Sequence, residues 1–117
     1  MSPERFKPSR GEVWLADFSS TAGREQRGRR PALVISLDRF NHGSAGLAIV
    51  VPITTTERGI PFHIPISRPE GGLKKDSYAM CENVRSVSRE RLLKRLGEAS
   101  EPTLRLVEDR LRVLLGL

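Results

Sequence analysis

The hydrophobic period of this chain changes once, after Gly97. Beyond it, Leu104, Val107, Leu111 and Leu114 recur at three and four residues, the spacing of one helix face. Ser100 is placed to cap that helix and Pro102 suits its first turn. Before it, apolar residues come in short runs broken by Gly, Pro and small polar residues. Glu12 to Phe18, Pro31 to Ser36, Leu47 to Ile53, Phe62 to Ile66 and Ser77 to Val87 read as five strands. The fourth belongs at an edge because of its prolines. Arg89 to Arg95 reads as a short helical stretch, and Asp38 to Gly46 as a loop with one helical turn. The expected fold is mainly β with a C-terminal helix, a small barrel closed by that helix. Such a barrel has few interior positions, so function belongs in its loops and on one face.

With 117 residues the chain reads as one domain, 1–117, with 1–9 as a loose N-terminal tail. One cysteine rules out an internal disulfide and suits a reducing, cytoplasmic setting. No apolar run approaches the roughly 18 residues of a membrane span, and Met1 to Arg10 lacks the core of a secretion signal. Lys and Arg number 20 against 14 Asp and Glu, a formal charge of +6, and the basic residues are mostly arginine. Arg24, Arg27, Arg29 and Arg30 lie close together with only Glu25 opposing them. Arg85, Arg89, Arg91, Lys94 and Arg95 form a second group around Glu90. Such clusters suit phosphate, which the guanidinium fork grips with two hydrogen bonds, and equally a solvated face. The segment Ser19 to Arg30 is long for so small a domain, and long loops there are usually functional or disordered.

Arg10-Gly11-Glu12-Val13-Trp14, followed by the run from Gly23 to Ser36, resembles the N-terminal signature of the MazF/PemK family of toxin endoribonucleases. Val51-Pro52-Ile53-Thr54, Pro61-Phe62-His63-Ile64, Asp76-Ser77, Val84-Arg85-Ser86-Val87 and Arg91-Leu92 continue the match in order, from about Arg10 to the C-terminus. The resemblance implies an SH3-like barrel of the MazF/PemK/CcdB type and a homodimer. It implies metal-independent, sequence-selective cleavage of single-stranded RNA, mRNA included, and hence arrest of translation and growth. It also implies neutralisation by a cognate MazE-like antitoxin whose extended tail fills the RNA groove. No cofactor, metal or membrane enters this picture.

The family's catalytic arginine falls on Arg30 and its catalytic threonine on Thr54; its Glu-Gln pair falls on Glu25 and Gln26. Many relatives carry Glu-Gln where this chain has Glu82-Asn83, and Asn83 has one methylene less with which to reach a base. RNA carries its own nucleophile, the 2′-OH, so an enzyme has to align it, move its proton and stabilise charge on the phosphate. Arg30 stays cationic and suits phosphate clamping; Pro31 biases its backbone to be extended. The Thr54 hydroxyl can donate to a phosphate oxygen. Glu25 is the candidate general base, or the residue that orients Arg30. Arg24, Arg27, Arg29, Gln26, Asn83 and Arg85 are candidate RNA contacts. Trp14 and Phe18 are stacking platforms if exposed and core residues if not.

A binding protein on the same fold is the alternative: a gyrase-poison-like, non-nuclease toxin or a nucleic-acid-binding regulator. It would not need Arg30, Thr54 and Glu25-Gln26 together. His42, His63 and Cys81 lack metal-ligand spacing. His63, between Phe62 and Ile64, suits a hydrogen-bonded structural role, and Cys81 reads as a small buried hydrophobe within a strand.

Overall fold

Residue Pro52 divides the longest strand between two sets of neighbours, and the sheet is built around that change. The computed structural model of the chain describes residues 7–19 and 28–117. Seven strands are present among them: β1 (Glu12–Asp17), β2 (Arg29–Val34), β3 (Leu47–Thr54), β4 (His63–Ile66), β5 (Ser77–Met80), β6 (Arg85–Ser88) and β7 (Leu92–Glu98). Two helices accompany them, α1 (Asp38–Asn41) and α2 (Glu101–Leu115). Every pairing is antiparallel. The order is β4-β5-β3-β2-β1-β7, with β6 also on β3. Leu47 to Val50 of β3 pair with β6, Val50 to Pro52 with β2, and Ile53 and Thr54 with β5. A proline has no N–H for a ladder, so Pro52 sits where one ladder hands over to the next. No ladder among the described residues joins β4 to β7.

Side chains alternate across a strand, and β1 to β3 carry apolar residues on both faces. Val13, Leu33, Val51 and Ile53 join Ile64, Ile66 and Ala79 under Val107 and Leu111 of α2. On the opposite face Trp14, Ala16, Phe18, Ala32, Val34, Ala48 and Val50 pack with Val87 and Leu92. These two layers explain the near-continuous apolar runs in the sequence. Helix α2 starts as its residues predict: Ser100 Oγ accepts from the Thr103 N–H at 3.3 Å, and Pro102 occupies the first turn. It ends at Gly116, whose φ of 72° is the left-handed conformation of a helix stop.

The mainly antiparallel β architecture with its C-terminal helix matches the sequence reading. Two local expectations do not hold. The fifth strand breaks at a 3-10 turn, Cys81–Asn83, which separates β5 from β6, so Cys81 is buried in a turn rather than mid-strand. Arg89 to Arg95 is not helical: one 3-10 turn, Arg89–Arg91, leads into β7. The free edge of β1 pairs Glu12 with Glu98 and Ala16 with Leu92, and this long-range ladder overrides local helix preference. No helix of the described residues is long and apolar enough to cross a membrane.

Candidate functional site

Strands β2 and β3 present their polar ends at the same end of the sheet. Ala32 pairs with Pro52, so two residues further along each strand stand Arg30 and Thr54. Both share the face of Ala32 and Val34 by alternation. Arg30 is exposed at the start of β2 and pairs with Ala16 of β1. Thr54 is buried at the last position of β3, with Tyr78 of β5 as its partner. Its Oγ1 accepts from the Thr56 N–H at 3.1 Å, which leaves its own proton to donate. The neighbours Pro31 and Thr55 line one cavity of about 310 Å³ together with Leu73, Lys74, Lys75 and Leu96. Arg30 and Thr54 do not line that cavity themselves; it lies beside their next neighbours in the chain.

The remaining candidates divide. Glu25, Gln26, Arg24 and Arg27 lie outside the described residues. Arg29 is exposed, opposite Asp17 in the β1–β2 register. The Asp17 carboxyl is held below its ordinary range by hydrogen bonds from Ser19, with Arg91 and Arg29 adding attraction. Arg85, in β6, sets its guanidinium over the Phe18 ring, 5.3 Å from the centroid, a cation–π contact that fixes its direction. Asn83 ends the 3-10 turn before β6 half exposed, its Nδ2 donating weakly to Met80 Sδ at 3.6 Å.

Trp14 does not fit the stacking role. It is 3% exposed, packed in the second apolar layer, and its Nε1 donates to Glu12 Oε1 at 3.0 Å. Neither ring face is open to a base. Phe18 is buried as well.

Two features were not legible in the sequence. Lys74 and Lys75 border the cavity beside Pro31 and Thr55, from a glycine-rich loop with no motif of its own. His63 keeps the structural role expected of it, but its partner is Glu82, 2.6 Å from Nε2 across two elements. The His63 side chain is buried, and its Nδ1 has no partner among the described residues. Burial pushes the Cys81 thiol up to about 11, with Glu82 adding to the effect, so the thiol is no nucleophile at neutral pH. No three His, Cys, Asp or Glu side chains gather as a metal-holding group among the described residues.

Residues 9–115 match the family model described as PemK-like, MazF-like toxin of type II toxin-antitoxin system. The chain belongs to this family. Endoribonuclease MazF9 of Mycobacterium tuberculosis is 35% identical over 113 residues, covering 92% of this chain and 96% of its own. Endoribonuclease toxin MazF of Escherichia coli is 34% identical, covering 96% and 97%. Among solved structures, MazF of Deinococcus radiodurans superposes with a TM-score of 0.84 at 33% identity, over 94% of this chain and 97% of that one. A MazE-MazF structure from the same organism gives 0.76 at 30% identity, over 94% and 96%. The MazF-like match spans both strands that carry Arg30 and Thr54.

Proposed function

We propose that this MazF-like chain is an endoribonuclease toxin that cuts single-stranded RNA, mRNA included, through the substrate's own 2′-OH. The observation that carries the reading is the arrival of Arg30 and Thr54 at one end of the sheet, in a chain whose relatives are named endoribonucleases. In this reading Arg30 clamps the scissile phosphate and stabilises the added negative charge. Thr54 donates to a non-bridging oxygen. The 2′-OH loses its proton to a base, for which Glu25 is the candidate, and its oxygen attacks phosphorus. The bond to the 5′ oxygen breaks, and that oxygen takes up a proton. The products are a 2′,3′-cyclic phosphate and a 5′-OH. No step calls for a metal. Arg29, Arg85 and Asn83 contact RNA further along, with Gln26, Arg24 and Arg27.

In keeping with the family, the toxin acts in the cytoplasm as a single domain and a homodimer, and a MazE-like antitoxin fills its groove. The turn of the sheet at Pro52 and its two apolar layers support the reading of the fold as a small SH3-like barrel. A mixed-sequence RNA incubated with the purified protein in EDTA tests the reading. Discrete fragments ending in cyclic phosphate support it. RNA that stays intact overturns it in favour of a binding protein, and cutting of a substrate with a 2′-deoxy sugar at the scissile position overturns the mechanism.

A further inference from the structure

We propose that Lys74 and Lys75, with the cavity they border, hold the ribonucleotide next to the scissile bond, its base in the hollow and its phosphate on the lysines. The inference rests on the endoribonuclease reading and adds two residues and a subsite to it.

The cavity, of about 310 Å³, has apolar walls from Pro31, Leu73 and Leu96 and a cationic rim from Lys74 and Lys75. Small-ligand pockets combine such walls with a few polar groups, and their volumes begin near this size. Its position decides what can enter. Pro31 and Thr55 follow Arg30 and Thr54 directly in the chain, about 3.8 Å on between Cα atoms. Alternation turns the Pro31 side chain to the face of β2 opposite that of Arg30, and Thr55 stands just past the end of β3. A strand of RNA held at Arg30 and Thr54 meets the cavity as it passes over the sheet end. The two lysine ammonium groups have no hydrogen-bond or ion-pair partner among the described residues. Several arginines are engaged instead: Arg10 with Glu108, Arg95 with Glu12 and Glu98, and Arg110 with Asp109.

The loop that carries the lysines is held rigidly. Gly72 lies so close to β7 that a Cβ there would sit 1.9 Å from the Leu96 carbonyl oxygen. A Cβ on Gly97 would in turn lie 2.6 Å from the Gly71 carbonyl carbon. Leu73 is anchored in the core. Downstream, Ser77 Oγ donates to the Lys75 carbonyl at 2.8 Å, and Asp76 Oδ1 accepts the Arg68 N–H at 3.1 Å. Fixed backbone on both sides of Lys74-Lys75 gives the cations a defined place, as recognition of one phosphate requires.

Equilibrium binding of a non-cleavable RNA, 2′-deoxy at the scissile position, tests this with wild-type protein and with Lys74→Ala, Lys75→Ala and the double variant. Wild-type cleavage of the all-ribose RNA is run alongside, and thermal melting verifies that the variants fold. The double variant should bind the full-length RNA roughly tenfold more weakly. Its log affinity should depend less steeply on log salt, by about 0.7 for each phosphate that the lysines no longer neutralise. RNAs shortened one nucleotide at a time from either end should lose the difference at one end only. An abasic nucleotide at that same place should weaken wild-type binding. If wild type cleaves and the variants bind with unchanged affinity and salt slope, the subsite is wrong. A deficit that persists on every shortened RNA also overturns it, since that marks a general field of charge. RNA left intact by wild type would sink the nuclease reading itself.

Discussion

The indole of Trp14 donates its Nε1–H to Glu12 Oε1 at 3.0 Å, and the two residues share one face of β1. The same carboxylate accepts from the Ser9 N–H at 2.8 Å and from Arg95 Nε at 2.8 Å. Burial acts to raise the Glu12 pKa, but the hydrogen bonds from Trp14, Arg95 and Ser9 together outweigh it and hold the carboxyl below its ordinary value. A lowered folded value means that the unfolded chain binds more protons in acid. Glu12 therefore adds stability above the unfolded-state value of about 4.3, and that stability is lost as pH falls through the folded value. Glu12→Gln should cost about 1–3 kcal/mol at neutral pH and flatten the acid limb of the stability curve. Urea midpoints measured between about pH 3 and pH 7 check this. An acid limb as steep as that of wild type would clear Glu12 of the role.

Arg30 and Thr54 are assigned to the same phosphate, and that assignment has a kinetic signature. Removing one preorganised donor to a developing oxyanion typically lowers kcat by about 10²–10³. Arg30→Ala and Thr54→Val should each fall in that range. The double variant should lose far less than the product of the two, because groups that act as a unit are not additive. Arg30 is exposed, so Arg30→Ala should keep the wild-type unfolding midpoint. Single-turnover cleavage of a short RNA measures all three variants. Full multiplicativity would mean that the two residues serve separate steps or separate sites.

How far the sequence could be read depends on how local the cause was. Helix α2 was legible because Ser100, Pro102 and the Val107–Leu111 stripe are local signals, and β1 to β3 were legible from their apolar runs. Strand β7 was not, because what makes Leu92–Glu98 a strand is the edge of β1, which lies at the other end of the chain. The break after Met80 was missed because Glu82-Asn83 reads equally as a polar interruption of one long strand, while what fixes the turn is a distant contact, Phe62 O taking the Cys81 N–H. Trp14 was ambiguous in sequence; packing on the second layer and the Glu12 carboxylate decided it. In the site, Arg30 and Thr54 were named by family resemblance. Lys74 and Lys75 were not, since a Gly-Gly loop reveals nothing about the β7 backbone it packs on.

The His63–Glu82 pair makes an asymmetric prediction. Nε2 of the buried imidazole lies 2.6 Å from Glu82 Oε2, and Nδ1 already lacks a partner among the described residues. Glu82→Ala would leave both ring nitrogens unsatisfied, at about 1–3 kcal/mol. Glu82→Gln keeps an amide within reach of Nε2 and should cost much less. Replacing His63 with Phe in the Glu82→Ala background removes the unpaired nitrogens and should recover part of the loss. Denaturant midpoints of the four proteins decide it. Equal losses for Glu82→Ala and Glu82→Gln would show that the pair adds nothing through its hydrogen bond.

Glycine substitutions separate backbone strain from crowding. Gly72 and Gly59 have almost the same left-handed backbone, φ 71° and 65°. Around Gly59 nothing lies within 4 Å of where a Cβ would stand, whereas at Gly72 that atom would sit 1.9 Å from Leu96 O and 2.6 Å from its carbonyl carbon. Gly59→Ala should therefore cost only the left-handed penalty, about 1–2 kcal/mol. Gly72→Ala has to push the loop off β7, and the blocking atoms are backbone that cannot rotate away. A loss of about 4 kcal/mol or more is expected. Because Lys74 and Lys75 ride on that loop, Gly72→Ala should also weaken RNA binding in whatever fraction stays folded, while Gly59→Ala should not. Similar stabilities for the two variants would mean that the loop yields easily, and the fixed placement of the lysines would lose its support.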